Sequence, residues 1–195
     1  MAEDIKKEGL LEGAENNPDN LLVVKNLKKY FPIKSSFFKM TIGNVKAVDG
    51  VSFAIKRGTT MGLVGESGCG KTTCGKTVMG LYPATSGEIF FDGIKVNELK
   101  GKEKKDFTRK AQIIFQDPYS ALNPFWNVEE ILEEPLKQIG MNSAERKERM
   151  EYLLYKVGMK SEDLIKFPYE FSGGQRQRIG IARALSVNPE FIMCD

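Results

Sequence analysis

The first residues able to do chemistry are Gly65-Glu66-Ser67-Gly68-Cys69-Gly70-Lys71-Thr72, which read G-x-x-x-x-G-K-[ST] without a mismatch. Glycines at these positions let the backbone bend until successive N–H groups point inward, and such a concave nest binds anionic oxygens. A helix starting at the end of the loop adds the positive end of its dipole. Lys71 then reaches β- and γ-phosphates as a mobile point charge. The Thr72 hydroxyl is suited to a magnesium ion (Mg2+), and Thr73 extends the phosphate-facing set. The loop predicts binding of nucleotide phosphates. With no spaced partner, Cys69 and Cys74 read as small helix-side residues and not as redox groups.

A second stretch has the same chemical promise. Ser172-Gly173-Gly174-Gln175 follows Phe171 and opens a run with helical periodicity. Ser-Gly-Gly reads either as an N-cap and helix start or as a second phosphate holder, with exposed N–H groups and a hydroxyl. A single nucleotide needs one such helix start. A second, about a hundred residues away, suggests that it serves a nucleotide held by another copy.

The elements that must position these loops are short. Residues 21–24, 51–55, 88–92, 112–115 and 191–194 read as strands. Residues 60–64 also read as a strand, apolar enough to be buried on both faces and leading straight into the glycine loop. Residues 100–110 hold six Lys/Arg and two acids and predict a short helix with a solvated face. Val128, Ile131, Leu132, Leu136 and Ile139 keep helical spacing, with Pro135 as a kink or restart. Met150, Leu153, Leu154 and Val157 keep it again, and the helix from Ser172 carries Ile179, Ala182 and Leu185. Residues 1–20, with six acids and two lysines, predict a disordered acidic tail.

Composition excludes several function classes. The 29 Lys+Arg against 26 Asp+Glu leave a net charge of only +3, so charge makes no case for a nucleic-acid partner. The chain has no histidine, which excludes a His general base, a His-based triad and any His-containing metal site within it. Three cysteines form no paired framework and fit a reducing compartment. No apolar run reaches the roughly 18–20 residues of a membrane helix, and residues 1–20 lack the apolar stretch expected of a signal peptide.

From about Leu21 to Asp195 the sequence resembles the ATP-binding cassette (ABC) ATPases. Residues 65–72 match that family's phosphate loop, and Gln116 matches its glutamine loop. Ser172 to Gln175 match its signature loop, and the apolar run ending in Asp195 matches its second nucleotide motif. The resemblance implies an α/β fold: a P-loop NTPase core of the ABC type with an antiparallel β subdomain and a helical lobe, C-terminally incomplete. The ATP-binding domain would span residues 21–195, with the lobe at about 117–185. Phe31 would stack on adenine, with Tyr30 as second choice. Gln116 and Asp195, together with Thr72, would hold Mg2+. Lys71, Gln116 and Asp195 would carry the catalytic roles available in this chain. Two cassettes would pack head to tail, with residues 172–175 of one facing the γ-phosphate on the other.

Gln116-Asp-Pro-Tyr-Ser-Ala-Leu-Asn-Pro124 looks like the oligopeptide/dipeptide importer branch, and so does Lys29-Tyr-Phe-Pro-Ile33 before the long excursion to Val45-Lys-Ala-Val-Asp49. The nearest match is that importer's second ATP-binding subunit. Tyr169 departs from the branch, which often has His there, and Phe125 stands where a basic residue is frequent. The resemblance implies a second ATPase subunit (homodimer or homologous heterodimer), two membrane-spanning permease subunits, and indirectly an extracytoplasmic peptide-binding protein. It implies a place on the cytoplasmic face of the cell membrane. Phe125 and Trp126 are candidates for the permease contact, with an aromatic core role equally open. The family's catalytic Glu would follow Asp195 and its switch His would lie further on. The expectation is therefore an N-terminal part of a longer ATPase that does not turn over alone. Two other readings remain: a soluble cassette protein of translation or repair, and a non-catalytic nucleotide-binding regulator. The 55 residues between Gln116 and Ser172 are too few for long coiled-coil arms.

Overall fold

Long strands carry the first part of the chain. In the computed structural model, which describes residues 11–35 and 40–195, β1 (Asn20–Lys34) and β2 (Thr41–Lys56) pair antiparallel, with Leu22 opposite Ile55, Val24 opposite Phe53 and Phe31 opposite Val45. β3 (Ser86–Phe91) joins the other edge of β1, and β4 (Ile94–Lys95) joins β3, giving the order β2-β1-β3-β4. Both strands of the hairpin run well beyond the predicted 21–24 and 51–55. A bulge between Val24 and Leu27 is the reason. Asn26 leaves the ladder at φ 47°, its N–H donates to Ser52 Oγ at 2.7 Å, and the ladder resumes with Leu27 fully buried. Extra residues in bulges are invisible to a strict period of two.

Residues 60–64 do not form the predicted buried strand. They ladder with no strand among the described residues, and Val64 is 93% exposed. Apolar composition qualifies a segment for a central strand, but a strand exists only when neighbours take its N–H and C=O groups. The helix predicted after the loop is present as α1 (Lys71–Val78), with Cys74, Thr77 and Val78 buried. α2 (Gly101–Lys110) exposes its charges and buries Phe107, edge-on to Phe91 at 5.4 Å.

Part of the expected acidic tail has structure. Ala14–Asn16 form a short 3-10 turn, Glu15 pairs with Lys25, and Arg57 Nε donates to the Pro18 carbonyl at 3.0 Å. Acidic composition reads as disorder only when the charges lack partners. Residues 1–10 of that tail lie outside the described residues.

The chain divides into two compact units, up to Phe107 and from Thr108. In the second, β5 (Ala111–Ile114) and β6 (Phe191–Cys194) pair in parallel. Between them lie α3 (Pro118–Ala121), α4 (Val128–Gln138), α5 (Ser143–Lys156) and α6 (Gly173–Ser186). The apolar faces of α4, α5 and α6 share one core that includes Leu132, Leu136, Met150, Leu154 and Ile179. Asn127 with Glu130, and Asn142 with Glu145, close reciprocal capping boxes at the starts of α4 and α5. α4 passes through Pro135 as one helix. A proline in the last turn forfeits one helical bond, and burial of Val128, Ile131, Leu132 and Leu136 holds the helix together. Among the described residues no helix is long and apolar enough to cross a membrane.

Candidate functional site

In the first unit the loop at 65–72 is closed over its own lysine. Lys71 Nζ donates to the carbonyls of Gly65 at 2.8 Å and Glu66 at 2.6 Å, and lies 3.6 Å from Cys69 Sγ. Gly68 and Gly70 adopt φ of 80° and 97°, a region that side chains rarely tolerate. A Cβ on Gly70 would collide with the Ala47 carbonyl oxygen, and one on Gly65 would stand 2.7 Å from Cys69 Sγ. Gly70 is also the N-cap of α1 and supplies no side-chain bond to its first turn. The helix thus begins at a glycine, an arrangement in which N–H groups of a first turn can face an anion. Bare glycine backbone at 65, 68 and 70, a helix start and one lysine are the chemistry that fits a polyphosphate.

Phe31 and Tyr30 are separated by the pleat. Tyr30 Oη bonds to the Asp49 carboxylate, which holds the phenol above and the carboxyl below their ordinary ranges. Phe31 lies edge-on to Tyr82 at 5.7 Å, with Lys29 Nζ 4.7 Å from its ring centre. Of the two candidates, Phe31 is the ring not committed to a hydrogen bond.

In the second unit the parallel pairing of β5 and β6 brings Gln116 and Asp195 to one end of the sheet. The Asp195 N–H donates to the Ile114 carbonyl at 2.9 Å, and Gln116 is exposed on a bend just past the same strand. Carboxyl ends of parallel strands are where ligands bind in α/β folds. A carboxylate and an amide oxygen at such an end are hard oxygen donors of the kind that Mg2+ takes.

Ser172 acts as a cap. Its Oγ accepts from the Gln175 N–H at 3.3 Å, and Gln175 Oε1 accepts from the Ser172 N–H at 2.9 Å. This is the N-cap alternative of the sequence reading; Gly173 and Gly174 begin α6 beside it. An open cavity of about 510 Å³ adjoins this turn, lined in part by Lys160, Lys166, Ser172, Gly174, Gln175 and Arg178. Asp163 also lines it and pairs with Lys166 at 2.6 Å, so the rim is basic by the remaining charges of Lys160 and Arg178. The Lys166 ammonium holds the Asp163 carboxyl below its ordinary range. Sequence reasoning missed Lys29, Tyr82, Lys160, Lys166 and Arg178. Their types are ordinary; Lys29 and Arg178 are close in sequence to Phe31 and Gln175, whereas only the closing of the chain brings Tyr82, Lys160 and Lys166 to them. Phe125 is 85% and Trp126 39% exposed, so the core alternative does not hold for Phe125. The phosphate loop and Phe31 belong to the first unit; Gln116, Ser172 to Gln175, and Asp195 belong to the second.

Comparison with known proteins defines the class. Residues 48–195 match the ABC transporter family, and the chain belongs to it. It is 48% identical over 181 residues to the oligopeptide transport ATP-binding protein AppF of Bacillus subtilis (strain 168), covering 92% of this chain and 55% of that protein. It is 49% identical over 180 residues to OppF, the oligopeptide transport ATP-binding protein of the same organism, covering 91% and 57%. The chain spans a little over half the length of these relatives. Among solved structures it is similar to the dimeric ATP-binding cassette MJ0796 bound to ADP and Pi, with TM-score 0.78, 32% identity and coverage of 89% and 73%. It is also similar to cbiO1 of Clostridium perfringens, with TM-score 0.71, 25% identity and coverage of 91% and 65%. The fold is that of an ABC cassette, with a phosphate loop, an antiparallel β subdomain and helices.

Proposed function

We propose that this chain is the ATP-binding part of an ATPase subunit that energises oligopeptide import. The observation that carries the proposal is the loop at 65–72. Its lysine is held by carbonyls of the loop itself, and its last glycine is pressed against Ala47 where no side chain fits. An incoming polyphosphate offers Lys71 stronger, charge-assisted acceptors than two neutral carbonyls. Lys71 leaves them and neutralises the terminal phosphates, while the amides at the start of α1 hold the rest. By the family resemblance Thr72, Gln116 and Asp195 would be the residues to hold Mg2+, which would supply charge neutralisation to the polyphosphate. Phe31 would take the base.

Likeness to a dimeric cassette supports a second cassette as partner. Residues 172–175 would then present the start of α6 to the nucleotide held by that partner, with the basic cavity rim adding to the local field. Likeness to AppF and OppF supports oligopeptide transport; the family resemblance adds a place at the cytoplasmic membrane face, with permease subunits as neighbours and the exposed Phe125 and Trp126 as contact residues. Equilibrium binding of ATP with Mg2+ to the purified chain tests the core of the proposal. Lys71→Ala is expected to weaken binding at least about tenfold, the loss of one charge-assisted contact. Equal affinity of the two proteins would overturn it.

A further inference from the structure

Lys29 is 9% exposed. Lysine usually buries its stem and keeps its charged end in water, and withdrawing that charge is costly unless something receives it. Here two aromatic rings do so. Nζ lies 4.7 Å from the centre of Phe31 and 5.9 Å from the centre of Tyr82, within the range of a cation–π contact. Phe31 itself stays partly exposed.

Strand register places this group beside the phosphate loop. Lys29 is opposite Val48 in the β1–β2 ladder. Val48 Cγ2 lies 4.0 Å from where a Cβ of Gly70 would stand. Phe31, two residues on, is opposite Val45. One sheet surface therefore carries a base-sized ring, a buried cation behind it and the end of the phosphate loop.

We propose that Lys29 is a positioning residue for base recognition, its cation backing the Phe31 ring so that the exposed side of the ring accepts a purine. A cation on one face pulls π-electron density toward itself. The opposite face then repels an electron-rich purine less, and the ring is held in one orientation. The proposal rests on the reading of Phe31 as the base-stacking residue.

The test measures affinity of the full chain for ATP and for inorganic triphosphate, which has no base. Lys29→Met keeps the stem and removes the charge. It is expected to weaken ATP about three- to fivefold, the worth of a modest cation–π contact, and to leave inorganic triphosphate unchanged. Lys29→Arg, which keeps a cation, is expected to restore ATP affinity. Phe31→Ala should weaken ATP more than Lys29→Met does, again sparing inorganic triphosphate. Unchanged ATP affinity in Lys29→Met, beside a loss in Phe31→Ala, would overturn the role of Lys29 and leave that of Phe31 standing. Equal weakening of both ligands in a folded Lys29→Met protein would make Lys29 a phosphate contact and also overturn the proposal. Unchanged ATP affinity in Phe31→Ala would remove the base-stacking reading itself. Should Lys29→Met not fold, Lys29→Gln and Lys29→Arg make the same comparison between a neutral and a charged side chain.

Discussion

The Arg176 guanidinium lies 4.1 Å from the centre of the Tyr119 ring. Arg176 is in the first turn of α6, just past Ser172, and Tyr119 is three residues past Gln116. The same helix is tied to the same stretch twice more: Gln177 Nε2 donates to the Phe115 carbonyl at 3.4 Å, and Arg183 Nη1 donates to the Ala121 carbonyl at 2.6 Å. Gly173 adds a close approach, since a Cβ there would stand 3.8 Å from the Tyr119 ring. Within the second unit, the segment after Gln116 and the helix that begins at Ser172 are one packed assembly.

Removing the ring face should loosen that assembly. Tyr119→Leu keeps apolar bulk but loses the cation–π partner of Arg176. The expected cost is about 1 kcal/mol, read as a lower thermal midpoint. Arg176→Ala in the Tyr119→Leu background should then cost less than Arg176→Ala alone, because the pair is already broken. Additive losses would mean the contact contributes nothing.

Gly70→Ala should damage the phosphate loop more than its size suggests. The new methyl meets the Ala47 carbonyl, and alanine must adopt φ 97°. Strain of about 1–3 kcal/mol is expected, together with loss of ATP affinity because the loop must shift to relieve it. Gly180→Ala, with nothing within 4 Å of the added Cβ, is the control and should leave ATP affinity of this chain unchanged. Calorimetric titration of both variants checks the contrast.

Glu133 joins α4 to α5. Its carboxylate accepts from Arg146 Nε at 2.9 Å and pairs with Lys137 at 2.5 Å. Chiefly the Lys137 hydrogen bond, and then that of Arg146, holds its pKa below the ordinary glutamate value. In the unfolded chain Glu133 binds a proton more readily than in the folded one, so stability rises with pH through this window. The contribution is complete above the ordinary carboxylate range, and it is lost as pH falls from about 4 through the lowered folded-state value. Glu133→Gln is expected to be less stable than the parent at neutral pH and to show a shallower decline on acidification. Denaturant midpoints measured from pH 7 to pH 3 check this; parallel curves would count against it.

Reading forward from the residues worked where the determinant is local. Glycines at 68 and 70, both at positive φ, specify a tight turn into the helix that starts at Lys71. Ser172 with Gln175 specifies a cap, and the spacing of Ile131, Leu132 and Leu136 specifies a helix that continues through Pro135. These are matters of backbone torsion and of neighbours a few residues apart, so the sequence by itself determined them. It could not determine that 60–64 would lack a ladder, that Asn26 would break and restart β1, that Lys29 would be buried against Phe31, or that Arg176 would find Tyr119. Each depends on which distant segment arrives alongside, with 57 positions separating Tyr119 from Arg176 and 51 separating Phe31 from Tyr82. Only tertiary packing makes that choice, because burial and hydrogen bonding are satisfied across the whole fold and not along the chain.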